Sequence, residues 1–100
     1  MKSVKTIILL CIHLFSLSQL FAQNYTVSGY VKDKESGESM IGVNIFVKEQ
    51  KSIGITSNYY GFYSLSLPLG KHTLVFSYIG FPSVEKEIQL SNNLELDVSM

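Results

Sequence analysis

From Tyr25 onward the chain alternates apolar and polar residues with period two, and glycine, asparagine and proline punctuate the alternation. Tyr25, Val27, Gly29 and Val31 share one phase, with Thr26, Ser28, Tyr30 and Lys32 in the other, which predicts a first strand. The polar turn Asp33–Ser39 follows, carrying Gly37. Val43, Ile45 and Val47 predict a second strand, Ile53–Thr56 a short third, and Tyr63, Leu65 and Leu67 one face of a fourth. After the tight turn Pro68–Gly70, the segment His72–Ile79 is apolar in both phases, as expected of a central strand covered on both faces. Val84, Ile88 and Leu90 mark a sixth strand. Leu94, Leu96 and Val98, alternating with Glu95, Asp97 and Ser99, mark a seventh.

About seven short strands joined by turns, with no sustained 3.6-residue period after Gln23, predict an all-β fold: an antiparallel β-sandwich. Periodicity alone leaves transthyretin-like and immunoglobulin-like connections equally open.

The first 22 residues follow another rule. Lys2 and Lys5 precede the apolar run Ile7–Phe15, a more polar stretch Ser16–Gln19 follows, and Leu20-Phe21-Ala22 closes the segment. This is the layout of a cleavable signal peptide with its cut after Ala22. His13, Ser16, Ser18 and Gln19 interrupt the run too early for a membrane anchor, which needs about 20 apolar residues. Cys11 has the large Leu10 before it and a short apolar core upstream, which argues against a lipidated cysteine. The predicted domains are therefore a signal peptide, 1–22, and one small β-sandwich, 23–100.

Removal of the leader takes away the single cysteine, so the sandwich would have no disulfide. It would keep six lysines, no arginine and eight acids. That mildly acidic balance argues against nucleic acid as a partner, because binding phosphates needs a basic face.

One hairpin concentrates aromatic residues: Asn58-Tyr59-Tyr60-Gly61-Phe62-Tyr63. Tyr63 is in register with Leu65 and Leu67 and is expected in the core, and Gly61 is expected at positive φ in the turn. Tyr59, Tyr60 and Phe62 have no core position by this phase. They would either pack on neighbouring strands or on a following domain, or form a stacking platform for sugar rings or a peptide, with Asn58 the nearby group to fix hydroxyls.

The residues together resemble a known module. Gly29, Val31 and Asp33, then Gly37, Glu38, Gly42, Val43 and Asn44, then Gly54, Thr56, Gly61, Tyr63, Leu65, Leu67 and Pro68, then Gly70, Leu74, Ser77, Tyr78, Gly80 and Phe81 follow the pattern of the carboxypeptidase-regulatory-like domain. The resemblance implies a seven-stranded transthyretin-like sandwich. Ser57-Asn58 stands where the pattern has Asp after Thr56, which weakens any metal-binding loop there. A signal peptide directly before such a module is similar to the start of TonB-dependent outer-membrane receptors. By that resemblance the module would lie in the periplasm ahead of a plug and a membrane β-barrel outside these residues. Its partners would be that plug and barrel or other envelope proteins.

Catalysis finds little in the residues. His72 would be the one histidine after leader removal, in phase with Leu74 and Phe76 and expected to be structural. Asp33, Glu35 and Glu38 lack the dense oxygen-ligand spacing of a calcium loop. Glu85, Glu87, Glu95 and Asp97 are placed on outward faces, not across a cleft. The expectation is a non-catalytic domain without cofactor or metal. The alternative is a free-standing glycan- or peptide-binding sandwich using Asn58, Tyr59, Tyr60 and Phe62.

Overall fold

The computed structural model describes residues 2–21 and 23–100, with side chains described for 3–12 and 23–100. The expected cut after Ala22 lies outside the described residues. Residues Lys2–Phe21 form a helix, α1, whose described side chains, Ile7 to Leu10 among them, are exposed and take no part in the core. No helix among the described residues is long and apolar enough to cross a membrane.

The remainder is two facing four-stranded sheets. One contains β1 (Asn24–Lys32), β4 (Phe62–Pro68), β7 (Leu94–Glu95) and β8 (Val98–Ser99). The other has the order β3 (Gln50–Thr56), β2 (Asn44–Val47), β5 (Gly70–Ser77) and β6 (Val84–Leu90). The phases read from the sequence are the phases observed. Val27, Val31, Tyr63, Leu65 and Leu67 of the first sheet face Ile45, Val47, Leu74, Phe76, Ile88 and Leu90 of the second, all buried. Burying each such side chain is worth about 1.5–3 kcal/mol. The rings of Tyr63 and Phe76 meet edge to face across the layers, 5.4 Å apart at 80°. Val75 is buried on the outer face of β5, but Lys71 on that face is exposed and no third layer covers it. The strand also stops at Ser77, so Ile79, expected within it, lies in the next loop and is exposed. The exposed ion pairs Lys48–Glu85 and Lys71–Glu87 lie along the outside of this sheet.

The predicted seventh strand differs from expectation. It is broken into β7 and β8, and both halves run parallel to β1. The chain leaves β6 on one sheet, crosses over at Ser91–Asn93, and arrives beside β1 in the same direction. At the break, Leu96 and Asp97, a side chain replaces backbone in the ladder: Oδ1 of Asp97 accepts from Tyr30 N–H at 2.9 Å. Ahead of β7, Oδ1 of Asn93 accepts from Thr26 N–H at 2.9 Å. Between them Leu96 N–H donates to Ser28 O at 2.7 Å. The Tyr63 hydroxyl donates to the Leu96 carbonyl at 2.5 Å. This crossing passes so close to Gly29 that a Cβ there would fall on the Leu96 carbonyl, 2.5 Å from its carbon.

Candidate docking surface

Topology sends three connections to one end of the sandwich. The turn after β1, the loop after β3 and the loop after β5 all emerge there, because β1, β3 and β5 finish at that end. Each connection is fixed by short-range hydrogen bonds.

In the loop between β3 and β4, Asn58 N–H donates to Phe62 O at 2.8 Å, and Gly61 N–H donates to Asn58 O at 2.9 Å. The Asn58 side chain closes the turn from within: its Oδ1 accepts from Tyr60 N–H at 2.9 Å and Phe62 N–H at 3.1 Å. Gly61 has φ 75°, as the turn demands, and a Cβ there would lie 2.8 Å from Val31 O. Ser57, buried, ties this loop to the one before β2. Its Oγ accepts from Val43 N–H at 2.9 Å and donates to Met40 O at 2.7 Å. The hydroxyl thus satisfies two buried backbone groups at the position where the sequence pattern would have placed an acid.

The turn thrusts Tyr59 and Tyr60 into solvent, 78% and 70% exposed, with rings 5.9 Å apart and nearly perpendicular at 84°. Two perpendicular rings offer no shared flat face for stacking. Phe62 turns away from them onto the outer face of the first sheet, where it meets Tyr30, its cross-strand partner, at 5.3 Å. The sequence grouped Asn58, Tyr59, Tyr60 and Phe62; the structure keeps the first three in one turn and pairs the fourth with Tyr30. Tyr30 stands in the polar phase of β1, where the sequence gives no reason to single it out, and its partner is set by strand register.

The loop after β5 adds a second apolar element. Phe81 N–H closes a turn on Tyr78 O at 3.1 Å, the two rings pack edge to face 5.7 Å apart, and Ile79 at the tip is 92% exposed. Ile41, exposed, sits beside them, and a groove of about 270 Å³ runs between this loop and Asp33, Glu38, Ser39 and Met40. Oδ1 of Asp33 accepts from Glu35 N–H at 2.9 Å and so shapes its own turn. Among the described residues no group of three or more histidine, cysteine or acidic side chains is placed to hold a metal.

Elsewhere, a wider, open groove of about 570 Å³ runs along the outer face of β2 and β3, over Gly54. His72 is half-buried near the start of β5, and its Nε2 lies 2.8 Å from Pro68 O. A carbonyl can only accept, so Nε2 carries the proton in this contact.

Comparison with known proteins agrees with this architecture. The 5-hydroxyisourate hydrolase of Klebsiella pneumoniae superposes with a TM-score of 0.59 over 74% of this chain and 88% of the hydrolase, at 15% identity, a likeness of fold alone. TonB-dependent receptor P3 of Formosa agariphila is 35% identical over 95 residues, 95% of this chain and 9% of the receptor. TonB-dependent receptor SusC of Bacteroides thetaiotaomicron is 34% identical over 92 residues, again 9% of the receptor. The chain therefore spans about a tenth of the length of these curated relatives. The model of the CarboxypepD_reg-like domain matches residues 27–100, all of the sandwich except the first three residues of β1, and the chain belongs to that family.

Proposed function

We propose that this chain is the N-terminal, non-catalytic accessory domain of a TonB-dependent outer-membrane receptor, exported through its leader and held in the periplasm. The observation that carries the reading is the pair of receptor relatives matched over nearly all of this chain and a small share of their own length. An alignment spanning 95 of the 100 residues must take in most of the leader as well as the sandwich, which supports an N-terminal position. The role is non-covalent: the domain presents surfaces to the plug and barrel of its own receptor or to envelope proteins. Support for a non-catalytic role comes from His72, whose ring is bonded to a backbone carbonyl at a strand start. The glycan-platform alternative draws less from the geometry. The Tyr59 and Tyr60 rings are perpendicular, and the Asn58 carbonyl oxygen is engaged inside its own turn.

The test is the size and location of the native product. An antibody to the sandwich should detect, in outer-membrane fractions, a protein about ten times the 11.2 kDa of this chain, as 9% coverage implies. Mass spectrometry should place its N-terminus at Gln23. A soluble periplasmic species of sandwich size would overturn the receptor reading.

A further inference from the structure

We propose that the loop end of the sandwich, with Ile41, Tyr59, Tyr60 and Ile79 at its summit, is the seat for the polypeptide that continues beyond residue 100 in the receptor-length protein; this rests on the receptor reading above. Three observations converge. First, the exposed large apolar side chains of the sandwich are segregated. Ile41, Tyr59, Tyr60 and Ile79 crown one end and Tyr30 flanks it, while Leu69 stands alone at the other. Large exposed apolar groups gathered in one place, with charges such as Asp33, Glu35 and Glu38 at the rim, are the composition of a contact surface.

Second, the loops that carry them are built to hold a shape. Asn58 braces the tyrosine turn and Ser57 fastens it to the Met40 loop. Phe81 packs on Tyr78 beneath Ile79. Anchors held in place lose little freedom when a partner covers them.

Third, the outgoing chain is delivered to this end. Met100 N–H donates to Lys32 O at 2.9 Å and Met100 O accepts from Lys34 N–H at 2.7 Å, which pins the last residue beside the turn after β1. The delivery of Met100 to this end then selects the occupant over a separate chain, because whatever follows it is tethered there. A covalently linked segment arriving at the same end has a high effective concentration and needs far less contact area.

Cysteine accessibility in the full-length receptor tests this. Tyr59→Cys and Ile79→Cys place thiols at the summit, and Gln89→Cys places one on an exposed position of β6 toward the opposite end. All three positions are on the surface, so the fold is retained. Maleimide labelling of each peptide, followed by mass spectrometry on purified receptor, should be at least tenfold slower at positions 59 and 79 than at 89. Equal rates in a receptor-length protein would overturn the docking proposal and leave the receptor reading intact. Protection in whole envelopes that disappears on purification would assign the surface to a separate protein and also overturn it. A reading frame that ends at residue 100 would overturn both.

Discussion

Gly29→Ala separates strand propensity from tertiary geometry, because the two predict opposite signs. Glycine inside a strand costs about 0.5–1 kcal/mol relative to alanine, so propensity alone makes the substitution stabilising. The added Cβ, however, would fall on the Leu96 carbonyl, 2.5 Å from its carbon and 2.9 Å from Oδ1 of Asp97. Ordinary carbon contacts begin near 3.5 Å, so the crossing between β7 and β8 has to retreat by roughly 1 Å. Three hydrogen bonds converge on that crossing. They are Leu96 N–H to Ser28 O at 2.7 Å, Tyr30 N–H to Asp97 Oδ1 at 2.9 Å, and Tyr63 O–H to Leu96 O at 2.5 Å. At about 1 kcal/mol each, their loss outweighs the propensity gain and leaves a net destabilisation of about 2 kcal/mol. A domain of this length has a total stability of roughly 4–12 kcal/mol, so the loss is a substantial fraction and lowers Tm by on the order of 10 °C. Urea unfolding followed by circular dichroism measures it. The same substitution in a Tyr63→Phe background should cost less, because the two changes share the Leu96 carbonyl. A variant as stable as the parent within about 0.5 kcal/mol, or more stable, would refute the argument that the crossing is packed against Gly29.

Other substitutions probe neighbouring parts of the same reasoning. Tyr63→Phe should cost about 1 kcal/mol through the lost bond to Leu96, read from the urea midpoint. Burial, with Asp97 nearby, pushes the Tyr63 hydroxyl well above its ordinary value. Stability from the neutral hydroxyl is therefore fully present below the unfolded-state pKa of about 10 and is lost as pH rises beyond it; the slope should be shallower in Tyr63→Phe between about pH 10 and 12. Ser57→Ala strands the Val43 N–H and Met40 carbonyl in a buried site and should cost about 2–4 kcal/mol in the same assay. Glu85→Gln, by contrast, breaks an ion pair with Lys48 whose side chains are half exposed, and thermal unfolding should register less than about 0.5 kcal/mol.

What could be read in advance follows from where the information is stored. Alternation is local, so the strands and their buried faces are legible: Tyr63 inward, Phe62 outward, Leu74 and Phe76 inward. The two-sided apolar run from His72 to Ile79 is not, because its last apolar residue falls past the end of β5 in an exposed loop. The break at Leu96–Asp97 was not, because Leu94, Leu96 and Val98 keep an unbroken phase through it. The interruption comes with Asp97 reaching across to the Tyr30 amide, a contact set by a crossover that no local period encodes. Tyr30 escaped for a related reason, since an aromatic in a polar phase is unremarkable until register sets Phe62 opposite it. Asn58 was legible as a turn residue and as a polar group beside tyrosines, and only the geometry shows its carbonyl oxygen turned inward.

The same distinction bears on where function resides. The apolar residues at Ile41, Tyr59, Tyr60 and Ile79 are scattered across four-tenths of the sequence and belong to three separate connections. No local pattern joins them; the strand order does, by ending β1, β3 and β5 at one place. The opposite end is closed by the tight Pro68–Gly70 turn and carries Leu69 as its exposed apolar residue. A sandwich that needed only to fold and stay dissolved would gain nothing from this asymmetry, since apolar loop tips cost solubility at either end. The asymmetry matches the path of the chain instead. The end with the apolar crown is the end at which Met100 is stitched to Lys32 and Lys34, so under the docking proposal a segment following Met100 would meet that surface first.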